Sequence, residues 1–269
     1  MGVNRSWFYE RAQRSQSPRE SSVTLRDEIE RIALEFPAYG YRRITKELSR
    51  REVHVNHKRV LHIMREESLL CHLKRRFIIT TDSTHHYRAY PNLARKMNVT
   101  GVNQLWQADL TYIRLRWTFV YLACIVDAFS RKVVGWHISK NVDTLLTLKA
   151  LWMAISARDP QPGLVHHSDR GVQYAATDYV EALDEIGAQI SMSRPGNPYD
   201  NAKAESFFRT LKVEQVNLNE YNSIEEANED MKYFIESVYN QRRLHSSLGY
   251  VPPDEFEQAH QQNMGLIYA

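Results

Sequence analysis

The chain has only two cysteines in 269 residues, Cys71 and Cys124. That is too few for a disulfide framework, and neither belongs to a CxxC knuckle, so a reducing cytoplasm is the expected compartment. His54, His57, His62, Cys71 and His72 lie close together in sequence. They lack the paired spacing of a zinc site, and His57 and His62 suit exposed helix faces equally well. No apolar run approaches the roughly 20 residues that span a bilayer. The opening MGVNRSWFYERAQRSQSPRE has no signal-peptide core, so no membrane partner is expected.

What is present is a soluble composition, 43% hydrophobic, with a lopsided charge distribution. Residues 1 to 100 hold 20 Lys/Arg against 11 Asp/Glu, and the rest hold 15 against 21. A basic half joined to an acidic half suggests a polyanion grip attached to a part that needs carboxylates.

Thr24 can cap a helix through LRDEIERIALEF that Pro37 ends. Further helices are expected over about Tyr41 to Arg50 and from Asn56 through KRVLHIMREE. Three short helices carrying Arg42, Arg43, Lys58 and Arg59 have the size of a helix-turn-helix unit, or of any small basic bundle. From about Glu67 to Met97 periodicity fades while Lys74, Arg75, Arg76, Arg88, Arg95 and Lys96 accumulate, a basic linker suited to phosphates.

Beyond Gly101 the pattern becomes α/β. In LWQADLTYIR, Trp106, Ala108, Leu110 and Tyr112 alternate with Gln107, Asp109 and Thr111. WTFVYLACIVD and KVVGWHIS complete an antiparallel meander. Asn141 or Asp143 then caps a helix to about Ala157 with a stripe of Leu145, Leu148, Leu151, Trp152 and Ile155. A strand LVHH, a polar turn SDRG, a helix over about Thr177 to Ile186 and a strand AQISM follow. The loop SRPGNPYD leads into a last core helix on which Ala204, Phe207, Phe208 and Leu211 form the buried stripe. This order predicts a ribonuclease-H-like core, a mixed five-stranded sheet with flanking helices, preceded by a small all-α region. The expected segments are an N-terminal stretch (1–23), the helix-turn-helix-like region (24–70), the linker (71–100), the ribonuclease-H-like core (101–222) and a C-terminal helical extension (223–269).

Three carboxylates fall where such a sheet would gather them. Asp109 is mid-strand, Asp169 stands just past the fourth strand, and Glu205 sits at the edge of the last helix's stripe, with Asn201, Arg209 and Lys212 on its flank. Each also has a plainer reading. Asp109 could bond backbone, Asp169 could form an Asx turn before Arg170-Gly171, and Glu205 could pair with Arg209. Brought together, the three would repel one another until a divalent metal intervened. Hard oxygen ligands suit Mg²⁺, with Mn²⁺ able to substitute, and two such ions serve in-line displacement at phosphorus. Asp127 is read as a turn residue, and Asp200 as the cap of the last helix.

WQADLTYI, HHSDRGVQYAA and SRPGNPYDNAKAESFFRTLKVE, with 35 residues between Asp169 and Glu205, resemble the D, D-35-E signature of retroviral-type integrases and insertion-sequence transposases. YGYRRITKEL with VNHKRVLHIMREESLL, and YNQRRLHSSLGYVPPDEF, resemble the upstream helical segment and C-terminal signature of the OrfB-type transposase subunit of two-frame bacterial insertion sequences. The resemblance covers about residues 25 to 257. It implies a transposase that cleaves and joins DNA at the element's terminal inverted repeats and inserts into target DNA, with Asp109, Asp169 and Glu205 as the metal-binding catalytic triad. Lys212 matches a basic residue that contacts the DNA end, and Arg209 and Asn201 join it as candidate contacts. Arg242, Arg243 and His245, with Asn240, match the C-terminal motif, for which phosphate contact and a structural role both stand. The resemblance further implies an OrfA partner, or fusion with it, a dimer or higher multimer on DNA, and the bacterial nucleoid as the working place. The retroviral His/Cys zinc module is missing here.

Overall fold

A computed structural model describes residues 24–70, 90–194 and 198–267. The N-terminal stretch, the linker residues Cys71, His72, Lys74, Arg75, Arg76 and Arg88, and the loop residues Pro195, Gly196 and Asn197 lie outside the described residues. The chain divides into two compact units, Met1–Lys74 and Arg75–Ala269.

The smaller unit packs three helices, α1 (24–35), α2 (Tyr41–Arg50) and α3 (His57–Glu66). The Asn56 side chain caps α3 by accepting from the Lys58 N–H. Ile29, Ile32, Ile44, Leu48, Val60 and Met64 are fully buried between the helices. Arg51 binds Glu28 and Glu35 of α1 and Glu47 of α2, so one guanidinium ties two helices together. Arg42, Lys58 and Arg59 are exposed, whereas the half-buried Arg43 lies over the Tyr39 ring at 5.5 Å.

The larger unit is built on five strands, β1 (Leu105–Arg114), β2 (Phe119–Asp127), β3 (Val133–Ser139), β4 (Val165–Ser168) and β5 (Gln189–Met192), in the order β3-β2-β1-β4-β5. β1, β2 and β3 are antiparallel neighbours, while β4 runs parallel to both β1 and β5. Strands joined by a hairpin pair antiparallel, and those joined through helices pair parallel. This is the expected ribonuclease-H-like sheet.

Two apolar layers cover it. On one face α4 (Thr144–Arg158) and α6 (Thr177–Glu185) pack against Trp106, Ala108 and Leu110. On the other, α7 (Ala202–Glu214), α8 (Ile224–Lys232) and the wider-turned helix Tyr233–Tyr239 pack against Ile113, Leu122, Cys124 and Val126. The residues expected as a C-terminal extension therefore complete the core's second face. Residues 90–100, expected as linker, also join the core: Met97 and Val99 pack against Leu105 and Val165, and Ser191 Oγ accepts from Leu93 N–H.

The α4 stripe differs from expectation. Asp143 caps the helix through the Leu146 N–H, but Leu145 and Trp152 are half exposed, at 48% and 50%. The buried face is Leu146, Thr147, Ala150, Leu151 and Ala154 with Leu148. Small residues face the sheet because α4 lies almost on Gly135 of β3, where a Cβ would stand 2.2 Å from the Ala150 carbonyl oxygen. Backbone proximity, and not side-chain volume, chose this face. A short helix, α5 (Val172–Ala175), lies between the expected turn SDRG and the helix expected from Thr177, in a span to which the sequence assigned no element.

Candidate active site

β1 and β4 pair in the register Leu105↔Val165, Trp106↔His166 and Gln107↔His167, and the pairing stops there. Two residues further along each strand direction stand Asp109 and Asp169, so the register itself sets the two carboxylates side by side where the strands part. Asp109 Oδ1 accepts from the Leu110 N–H at 2.8 Å. Asp169 Oδ1 accepts from the Gly171 N–H at 2.9 Å, the Asx turn foreseen as its plainer role. A Cβ on Gly171 would come within 3.0 Å of that same oxygen, so the glycine keeps the carboxylate in place.

The third carboxylate arrives on α7. The stripe Ala204, Phe207, Phe208 and Leu211 is buried as expected, and it leaves Glu205 exposed at its margin. What fixes the start of the helix is not Asp200. The Asp200 carboxylate instead accepts from the Arg194 guanidinium and the Arg194 N–H. The cap comes from β1: Gln107 Oε1 accepts from the Lys203 N–H at 3.0 Å, and Gln107 Nε2 donates to the Asp200 carbonyl at 3.3 Å. Asn201 Nδ2 donates to the Ala108 carbonyl at 3.0 Å, on the strand edge that β4 has left. Three hydrogen bonds thus clamp α7 to the two residues preceding Asp109. Sequence alternation put Gln107 on the polar side of β1 but gave no sign of this role.

Electrostatics follow from the crowding. Asp109 is pushed up to about 8, first by burial and then by the Asp169 carboxylate, with Glu205 adding and the Leu110 N–H and Lys212 opposing. Burial also raises Glu205. Lys212 is lowered by burial against the opposing pull of Asp109, and its ammonium lies 4.6 Å from the Tyr112 ring centre. Among the described residues, no three His, Cys, Asp or Glu side chains stand close enough to hold one metal ion. The donors nevertheless suit a hard divalent cation, since burial holds a proton on Asp109 first and carboxylate repulsion second, and a bound cation would offset both.

Beneath the site, His167 lies between Ser191 Oγ at 2.7 Å and Ser193 Oγ at 3.0 Å, and burial lowers it to about 4. His166 meets Tyr179 Oη at 3.0 Å and is lowered to about 3, by burial and then by His167. Both imidazoles are neutral struts. Asp127 is structural, as read: fully buried, it accepts from the N–H groups of Asn103, Phe129 and Ser130.

Several expected DNA contacts are corrected. Asn201 is buried and spent on β1. Arg243 is buried in a two-point ion pair with Glu214 of α7, both at 2.6 Å. His245 is buried against Arg243 and the Tyr239 ring. Asn240 is used up on both backbone groups of Val133. A basic motif after a helix reads like a phosphate grip, but here its charge is neutralised internally to hold the C-terminal region on the sheet. Arg209 is exposed, as is Arg242, which lies over Tyr233.

The sequence matches the Integrase core domain family over residues 99–198 and again over 186–253, and the HTH-like domain family over 21–77. The first match contains Asp109 and Asp169 and the second contains Glu205. The chain is 38% identical to the insertion element IS600 uncharacterized 31 kDa protein of Shigella sonnei, over 97% of each chain. It is 38% identical to the transposase for insertion sequence element IS904 of Lactococcus lactis, over 81% of this chain and 87% of that one. Among solved structures, the HTLV-2 integrase catalytic core domain in complex with magnesium aligns at 17% identity and TM-score 0.45, over 63% of this chain and 99% of that one.

Proposed function

The chain belongs to the integrase-core family of insertion-sequence transposases, and from that premise we propose that it cleaves DNA at insertion-sequence ends and joins the freed 3′-OH to target DNA at a site made of Asp109, Asp169 and Glu205. The observation that carries this reading is the strand register that sets Asp109 beside Asp169, with α7 clamped across so that Glu205 acts on the same carboxyl.

Asp109, Asp169 and Glu205 would hold two Mg²⁺ ions, which supply charge neutralisation for the attacking and leaving oxygens of an in-line displacement. The protein's own part is positioning. Asp109 must shed its proton, and Lys212, two turns beyond Glu205, offers its ammonium to a phosphate beside the reacting one. Gln107 and Asn201 fix the helix that carries both Glu205 and Lys212. The exposed Arg42, Lys58 and Arg59 of the small helical unit supply sequence-independent grip on the backbone.

A second reading follows from the three carboxylates not standing at single-ion distance: the chain is an assembly subunit whose site closes only with DNA and an OrfA partner. Labelled element ends incubated with the purified chain in Mg²⁺ separate the two. Strand-transfer products without OrfA support the enzyme, and binding alone supports the subunit. Cleavage without any joining would instead point to a structure-selective nuclease.

A further inference from the structure

The β1–β2 hairpin ends in Arg114-Leu115-Arg116-Trp117-Thr118-Phe119, and its tip exposes apolar surface that the transposase reading leaves unused. Trp117 is 84% exposed and Phe119 48%. The tip is nevertheless held firmly. The Leu115 N–H donates to the Thr118 carbonyl at 2.8 Å, and the Arg116 N–H donates to the Tyr221 carbonyl at 2.9 Å. Tyr221 is itself buried and anchored by its hydroxyl on Asp230 at 2.5 Å. A braced turn that presents a bare indole is a built surface and not a frayed loop.

Its surroundings say what it fits. Register places Tyr112 opposite Tyr121 and Arg114 opposite Phe119, so these four side chains share one face of the sheet. Phe119 meets Tyr112 edge-on at 5.5 Å, Lys212 caps the Tyr112 ring, and the Arg116 guanidinium lies 5.1 Å from the Trp117 ring centre. Cations thus alternate with aromatic rings from the catalytic helix to the hairpin tip, and no carboxylate belongs to the hairpin segment Arg114 to Phe119. That alternation suits unpaired nucleic acid, whose bases stack on rings while the phosphates meet the cations.

We propose that the Arg116-Trp117 tip is a stacking platform for an unpaired base of the DNA being processed, distinct from the carboxylate site. The inference rests on the reading of the chain as a DNA-processing enzyme. Arg116 stands seven positions beyond Asp109, two of them past the end of β1, so the tip lies within about 23 Å of Asp109 and the stacked base several nucleotides from the scissile phosphate.

Intrinsic fluorescence of the full chain tests it, with Trp117→Phe as the reference, because the difference between the two emission spectra isolates Trp117. Adding single-stranded oligo(dT) of twenty nucleotides should quench that difference signal saturably, and a blunt duplex of equal length should leave most of it. Trp117→Ala should weaken oligo(dT) binding about tenfold while Trp117→Phe stays near wild type. An unquenched difference signal, equal quenching by duplex, or Trp117→Ala binding like wild type would each overturn the proposal. Because the carboxylates are untouched, those results leave the catalytic reading standing, and loss of that reading would not change the quenching.

Discussion

Replacing Asp109 by Asn should stabilise the metal-free protein, and increasingly so as pH rises. Burial, Asp169 and Glu205 lift this carboxyl from the usual 3.8 to about 8, so the folded state keeps a proton that the unfolded chain releases near pH 4. The stability tied to that proton is complete below about pH 4 and is lost as pH climbs through about 8. Four units correspond to about 5 to 6 kcal/mol as a ceiling, and relaxation of this partly exposed pair leaves about 2 to 3 kcal/mol. Asn loses no essential bond, since its Oδ1 can still accept from the Leu110 N–H. For a unit of this size each kcal/mol moves Tm by about 2 to 4 °C. In EDTA, Asp109→Asn should therefore melt about 5 to 10 °C above wild type at pH 9 and within about 3 °C of it at pH 5. Mg²⁺ should raise the wild-type Tm and leave the variant unmoved. A variant melting at or below wild type at pH 9, with a gap that ignores pH, would refute the account of the carboxylate crowding.

Two further substitutions examine the frame around the site. Gln107→Ala removes the strand-borne cap of α7 and leaves the Lys203 N–H and the Asp200 carbonyl without it, which should cost about 1 to 3 kcal/mol in denaturant unfolding; joining should fall further than DNA binding because Glu205 loses its seat. Arg243→Ala strands the Glu214 carboxylate and should cost about 3 to 5 kcal/mol, with binding to end DNA at fixed salt unchanged wherever the variant is folded.

Much of this was legible because certain signals are local. The stripe Ala204, Phe207, Phe208 and Leu211 announced both the α7 helix and the face it buries, and of the two caps the sequence offered for α4, Asn141 and Asp143, Asp143 is the one used. Strand alternation set Asp109 mid-strand, the end of the fourth strand set Asp169, and helical spacing set Glu205 at the margin of the α7 stripe. The failures share a cause, since each depends on a partner far away in sequence. Helical spacing put Leu145 and Trp152 on the buried stripe, but the close approach at Gly135 on β3 turns Ala150 and Ala154 to the sheet instead. Asp200 had the composition of a cap, yet Gln107 held the position, 96 residues from Lys203. For Arg243 and His245 phosphate contact and a structural role both stood, and Glu214, 29 residues from Arg243, decides for the structural one. Side-chain chemistry named the candidates, and tertiary pairing decided which of them were left free.

The central claim concerns the three carboxylates, and strand joining by Asp109→Asn, Asp169→Asn and Glu205→Gln in Mg²⁺, each measured beside binding to the same labelled ends, tests it most directly. The account predicts that each variant loses cleavage and joining while binding the ends as wild type does. Near-wild-type joining by any one of the three would contradict it.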